Sequence, residues 1–157
     1  MKFIYNKYIP FGEFGMMNIL GLVFTKVKES EVELCDKIHE AIHTRQQLEL
    51  VGVSAIVSLI LCNIFASWLY LAFLPIIPFA VYVFAFLLEM AIPPYHNVRD
   101  MFVNGKWREG FKKMWMDAYY DNCFEREAFA NQGNVEYLAV RPLFAVLKYV
   151  LKRNERK

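Results

Sequence analysis

Cysteine, histidine and any surplus of charge are scarce in this chain of 157 residues. Its three cysteines, Cys35, Cys62 and Cys123, are too few and too scattered for a disulfide framework, and an odd number cannot all pair within one chain. Eighteen Lys and Arg against sixteen Asp and Glu leave a formal charge of +2. That balance lacks the strongly basic face a nucleic-acid partner requires, so no nucleic-acid partner is expected. There is no internal repeat. A charged fraction of 22% against 17% aromatics and 57% hydrophobic residues excludes a disordered chain.

The sharpest absence is local. No charged residue lies between Leu50 and Leu88, and Glu49 and Glu89 bracket the stretch. A single transmembrane helix needs about 20 apolar residues to cross the hydrocarbon of a bilayer. This run is about twice that length. Pro75 and Pro78 fall near its middle, where proline removes a donor and disfavours helix before it. The pattern predicts a helical hairpin in a lipid bilayer, with spans at about 50–70 and 74–91. No amphipathic stripe is left to face water, as a buried hairpin of a soluble domain would need.

A hairpin places both flanks on one side. Lys26, Lys28, Lys37 and Arg45 precede it, and Arg99, Lys106, Arg108, Lys112 and Lys113 follow it. The positive-inside rule then predicts an integral membrane protein with both termini cytoplasmic. The first residues lack the continuous apolar core of a signal peptide. The expected organisation is one membrane-embedded domain over 1–157, its soluble part formed by 1–48 and 92–157.

The fold class expected is mainly α: a membrane helical hairpin, a small zincin-like helical domain, and a short N-terminal β-hairpin or edge strand. Ile19–Thr25 is β-branched and aromatic enough for a strand, with Lys2–Ile9 as its hairpin partner. Ser30, with Glu33 three residues on, reads as a capping box for a helix over 29–49 that continues into the first span. Pro93 and Pro94 end the second span, and residues 95–105 read as a loop with a turn at Asn104–Gly105. Trp107, Phe111, Met114, Trp115 and Ala118 share a helical stripe that either faces a core or lies on the membrane surface. Asn122 caps a helix through Asn131, and residues 134–152 read as a last amphipathic helix that Pro142 splits.

Two of only three histidines fall in His39-Glu40-Ala41-Ile42-His43, an H-E-x-x-H motif within the first helix. Positions i and i+4 share a helix face, so both imidazoles can bind one Zn²⁺, with Glu40 beside them to take a proton from water. A catalytic zinc needs a third protein ligand. The candidates are Glu125 and Glu127 on the second predicted helix, of which at most one can face the zinc, and Asp121 just before that helix. An ordinary solvated E-R-E face is the plain alternative for Glu125 and Glu127. Cys35, one turn before His39, is either a fourth sulfur ligand or a small buried residue. Asp36 either bonds a ligand imidazole or serves the helix N-terminus. His96, Tyr119, Tyr120 and Tyr137 are candidates to stabilise an oxyanion.

These two motifs, H-E-x-x-H and Glu125-Arg126-Glu127-Ala128-Phe129, resemble those of integral-membrane gluzincin-type zinc peptidases, including the heat-shock membrane protease and CAAX-prenyl-protease families. The resemblance covers about thirty residues. It implies zinc held by His39, His43 and Glu125, and Glu40 as the base in hydrolysis of a peptide bond at the cytoplasmic membrane face. The sequence departs from the pattern at Phe129, where those families carry Asp to orient a zinc-binding His, and the chain is much shorter than typical members. The expected partners are the bilayer and a peptide or protein substrate, the strand near 19–25 pairing with extended substrate. The alternative is a non-catalytic membrane scaffold, zinc-binding or metal-free, that keeps the motif without turnover.

Overall fold

In a computed structural model of the chain, residues 1–10, 14–91 and 95–150 are described. The fold is mainly helical with a small three-stranded sheet. Strands β1 (Lys2–Tyr5), β2 (Met16–Ile19) and β3 (Leu22–Thr25) lie in the order β1-β3-β2. The hairpin is β2–β3, antiparallel with Met17 opposite Phe24, whereas β1 runs parallel to β3 with Phe3 beside Val23. This corrects two expectations: Lys2–Ile9 is not the hairpin partner, and residues 19–25 are not one edge strand. A turn at Leu20–Gly21 divides that stretch, and β3 is the central strand. Both turn residues have positive φ, 49° and 88°, as a two-residue turn matched to strand twist demands. A Cβ on Gly21 would stand 3.3 Å from the Thr44 methyl group.

Helix α1 runs unbroken from Leu34 to Phe65. Its N-cap is Glu33, paired with Asp36 in a capping box; Ser30 instead lies in a 3₁₀ turn over Glu29–Glu31. The β2–β3 turn is fastened to α1 by side chains. The Asn18 amide donates to the Glu40 carbonyl (2.5 Å) and to Thr44 Oγ1 (3.0 Å). Gln47 accepts from Leu20 N (2.5 Å) and donates to the Asn18 carbonyl (2.9 Å). The edge strand β2 is therefore held alongside the helix that carries the H-E-x-x-H motif.

The chain leaves α1 at Ala66, in left-handed conformation, and a 3₁₀ turn over Trp68–Ala72 leads into α2 (Phe73–Ala91). The reversal thus occupies 66–72, so the first helix ends a few residues short of the expected 70 while α2 begins within one residue of the expected 74. Pro75 sits in the first turn of α2, where its missing N–H is harmless, while Pro78 lies inside the helix. Pro78 cannot donate to the carbonyl of Leu74 four residues earlier. The buried Ser54 hydroxyl of α1 bonds that carbonyl at 2.7 Å, and lies 3.0 Å from the Phe73 carbonyl. Both helices are long and apolar enough to cross a membrane, and few residues of their apolar stretches are fully buried.

Residues 95–102, expected as loop, form α3 (Tyr95–Phe102), and Gly105 takes positive φ at the turn that follows. Pro93 and Pro94 lie outside the described residues. Helix α4 (Trp107–Tyr120) leaves Trp107, Phe111 and Trp115 exposed and buries Ala118. Helix α5 (Cys123–Asn131) is capped as expected by Asn122, whose side chain accepts from Phe124 N at 2.9 Å. The last amphipathic helix does not form as one piece: a short α6 (Tyr137–Val140) gives way to extended Arg141, left-handed Phe144 and a 3₁₀ turn over Ala145–Tyr149. Helices α1 and α5 pack through Ile38, Ile42 and Ala128, with Tyr137 and Leu138 closing the cluster. That contact sets α5 against the motif face of α1.

Candidate metal centre

His39, Glu40 and His43 project from α1, and Glu125 from the first turn of α5. The ring atoms converge. His39 Nε2 is 3.2 Å from Glu125 Oε2, His43 Nε2 is 3.3 Å from Glu125 Oε1, and the two Nε2 atoms are 3.0 Å apart. These three residues form a cluster that could hold a metal ion. All three side chains are nearly buried, and apart from the His39 ring at 3.2 Å nothing among the described residues approaches Glu125 Oε2 as a donor. A cation at the centre of the cluster would satisfy this buried carboxylate more fully than the ring edges do.

The electrostatics are those of a cation site. Burial opposes the charged form of His43, but the hydrogen bond and charge of Glu125 outweigh it and lift the imidazole to about 9. Burial likewise opposes ionisation of Glu125, which the two imidazoles hold at about 2. In the metal-free protein a proton thus supplies the positive charge between these groups. Burial raises the Glu40 carboxyl above its ordinary value, partly offset by His43 and His39.

Behind each histidine stands a carboxamide. His43 Nδ1 is 2.8 Å from Gln46 Oε1, and His39 Nδ1 is 3.0 Å from Gln132 Oε1. The Gln46 amide nitrogen donates to the Phe124 carbonyl and to Glu127 Oε2, each at 3.0 Å. Its oxygen must then face His43, so Nδ1 carries a proton and Nε2 is the nitrogen that faces the cluster, protonated without a metal and free to offer its lone pair once a metal displaces that proton. Phe129 packs its ring edge-on against His39, with centroids 4.7 Å apart. Where the resembled families place Asp, this chain has an apolar ring, and the polar support for His39 comes from Gln132 one turn later.

Glu127 is not among the converging ligand groups. It is fully buried and accepts from Arg141 Nε, from the Tyr137 hydroxyl (3.0 Å) and from Gln46. Arg141 also grips Glu49 with both terminal nitrogens. Neither Glu125 nor Glu127 is therefore a solvated charge. Asp121, at the C-terminus of α4, is not among the converging ligand groups, and nor is Cys35, whose thiol lies 3.5 Å from Glu33 Oε2. Asp36 serves the helix start, accepting from Glu33 N at 2.9 Å.

The cluster opens onto a cavity of about 440 Å³ lined by Met17, Asn18, Glu40, His43, Tyr119 and Glu125 among others. Its β2 wall is the sheet edge that carries no strand on its outer side among the described residues. Of the oxyanion candidates whose side chains are described, Tyr119 alone lines this cavity, and burial and then Glu125 raise its phenol above the ordinary value. Tyr120 lies on the His39 side, 5.6 Å from the Phe129 ring, and Tyr137 is bound to Glu127. The side chain of His96 lies outside the described residues. Gln46, Gln132 and Arg141 were missed in the sequence; only the spacing of Gln46, three residues after His43 on the same helix, marks any of them. Compared with known protein families, curated proteins and solved structures, the chain has no match.

Proposed function

We propose that the chain is a zinc-dependent membrane peptidase acting at the cytoplasmic face of a bilayer. The observation that carries this reading is the convergence of His39, His43 and Glu125 at 3.0–3.3 Å, with Glu40 buried at the same cavity. Ligand atoms bound tetrahedrally to zinc at about 2.0–2.1 Å stand roughly 3.3 Å from one another. The spacing therefore suits zinc without rearrangement of either helix. Three protein ligands and an open cavity are also the pattern of a catalytic site rather than a closed structural one.

Zinc held by His39 Nε2, His43 Nε2 and Glu125 would acidify a water and polarise a substrate carbonyl. The rest falls to this chain's own residues. Glu40 accepts the proton of the attacking water and returns it to the leaving amine. Extended substrate pairs with β2, which takes the place first expected of residues 19–25, and lies across the cavity beside Glu40. Helices α1 and α2 anchor the site in the bilayer, and the exposed Trp107, Phe111 and Trp115 of α4 rest on its surface.

The test compares wild type, Glu40→Gln and Glu125→Ala in detergent. Glu40→Gln is expected to keep its zinc and fold while turnover of a broad peptide library falls by about 10²–10⁴. Undiminished turnover in Glu40→Gln would refute the mechanism. A zinc-loaded wild type without turnover would favour the scaffold.

A further inference from the structure

Two buried polar atoms in the one cavity make no hydrogen bond of ordinary geometry among the described residues, and they are of opposite kinds: the acceptor Glu125 Oε2, with the His39 ring 3.2 Å away, and the donor Tyr82 Oη, beside Gln47. They do not pair with each other. The acceptor belongs to the metal cluster. The hydroxyl belongs to α2, an element that otherwise faces the bilayer, and no role has been given to it so far.

Tyr82 is held firmly. Its ring stacks on Phe124, the residue before Glu125, with centroids 4.1 Å apart and planes 17° apart. Its position is therefore tied to that of a proposed ligand. The cavity wall it shares holds Glu40, His43 and Glu125. Tyr119 lines the same cavity but its hydroxyl engages Glu125, so it is the less available donor. A buried phenol beside a base and a cation site, with no acceptor of ordinary geometry among the described residues, is free to donate to a ligand bound in the cavity.

We propose that the Tyr82 hydroxyl is the oxyanion donor of this site, making the hydrogen bond that it lacks in the free protein to the carbonyl oxygen of the scissile bond. The assignment rests on the peptidase reading. As the water oxygen bonds to the carbonyl carbon, its proton goes to Glu40 and the carbonyl electron pair moves onto oxygen. Tyr82 donates a hydrogen bond to that oxygen and keeps its own proton. When the C–N bond breaks, the electron pair returns to re-form the carbonyl and the proton on Glu40 passes to the amine nitrogen. The charge on oxygen is greatest between these events, so the bond to Tyr82 strengthens there and contributes to kcat rather than to KM.

Tyr82→Phe removes one oxygen atom and leaves the ring stacked. If the hydroxyl were structural, its loss would destabilise the protein. An unpartnered hydroxyl does the reverse, and the thermal midpoint of Tyr82→Phe is expected to equal or exceed that of wild type. The probe is a phosphinic peptide with Phe and Leu flanking the phosphinate, which carries the tetrahedral, anionic shape of the intermediate. Calorimetry on the zinc-loaded full chain in detergent is expected to show affinity falling by about 10²–10³ in Tyr82→Phe. The kcat should fall by a similar factor, with KM nearly unchanged. A second variant, 3-fluorotyrosine at position 82, keeps the ring and makes a stronger donor, and should bind the phosphinate more tightly than wild type. Phosphinate affinity unchanged by both substitutions would overturn the assignment while leaving the peptidase reading in place, as would a lowered midpoint in Tyr82→Phe. A wild type that neither binds the phosphinate nor cleaves peptides would remove the peptidase reading, and the assignment with it.

Discussion

The Nδ1 of His43 lies 2.8 Å from Oε1 of Gln46, and the direction of that hydrogen bond is fixed by what Gln46 does with its other end. Its amide nitrogen donates to the Phe124 carbonyl and to Glu127, so its oxygen can only accept. A side chain three residues along the same helix thereby decides which nitrogen of His43 faces the cluster. Replacing Gln46 by Leu keeps the bulk and removes the acceptor. Zinc affinity, measured by competition with a chelator, is expected to fall by about 10–100-fold. Unchanged affinity would show that His43 needs no such support.

Arg141 lies between two buried carboxylates, Glu49 on α1 and Glu127 on α5, and is almost wholly buried itself. It joins the end of the chain to both site helices. Removing one member of such a group strands the others in a low-dielectric interior, at a cost of about 3–5 kcal/mol. Arg141→Leu should lose stability on that scale in denaturant titrations, and Glu49→Gln in the same background should restore part of it. A loss below about 1 kcal/mol would mean that water reaches the carboxylates.

The Ser54 hydroxyl bonds the Leu74 carbonyl that Pro78 leaves without a donor. Ser54→Ala should cost roughly 1 kcal/mol, within the range for hydrogen bonds between membrane helices. In a Pro78→Ala background the helix supplies its own donor at position 78, and the same substitution should cost almost nothing. Equal losses in the two backgrounds would break the link between these residues.

For two helices long and apolar enough to span, with basic residues on both flanks, the positive-inside rule leads us to propose that both termini are cytoplasmic. Reporter fusions at the N- and C-termini should both behave as cytoplasmic. An external signal from either end would contradict the hairpin.

The cluster of His39, His43 and Glu125 was readable because its signals are local. His39 and His43 declare themselves by spacing on one helix, and Asn122 announces the start of the helix that carries Glu125. The bilayer-length apolar run was equally plain. What escaped depended on contacts distant in sequence. Arg141 meets Glu49 across 92 positions, and an arginine beside a proline reads as the edge of a solvated helix until both carboxylates are seen. The second helix starts within one residue of the expected position and tolerates both prolines, because Pro75 sits in its first turn and Ser54 covers the defect at Pro78; the end of α1 at Phe65 had no such marker. The parallel pairing of β1 with β3 follows from how the N-terminus returns to the sheet, and alternation of residue types carries no sign of strand direction. Tyr82 was hidden in an apolar run where an aromatic residue is the ordinary choice.

The central claim is that one metal ion sits between two residues of α1 and one of α5. Metal analysis of the purified chain tests it most directly, with zinc supplied and excess removed on a sizing column. Wild type should carry one zinc per chain, since three converging ligands hold it tightly. Glu125→Ala should lose it, since two imidazoles hold zinc poorly, while Glu125→Asp should retain part. Glu127→Gln should keep zinc, because Glu127 bonds Arg141, Tyr137 and Gln46 rather than the ion. One tightly bound zinc surviving in Glu125→Ala, or none in wild type, would contradict the account.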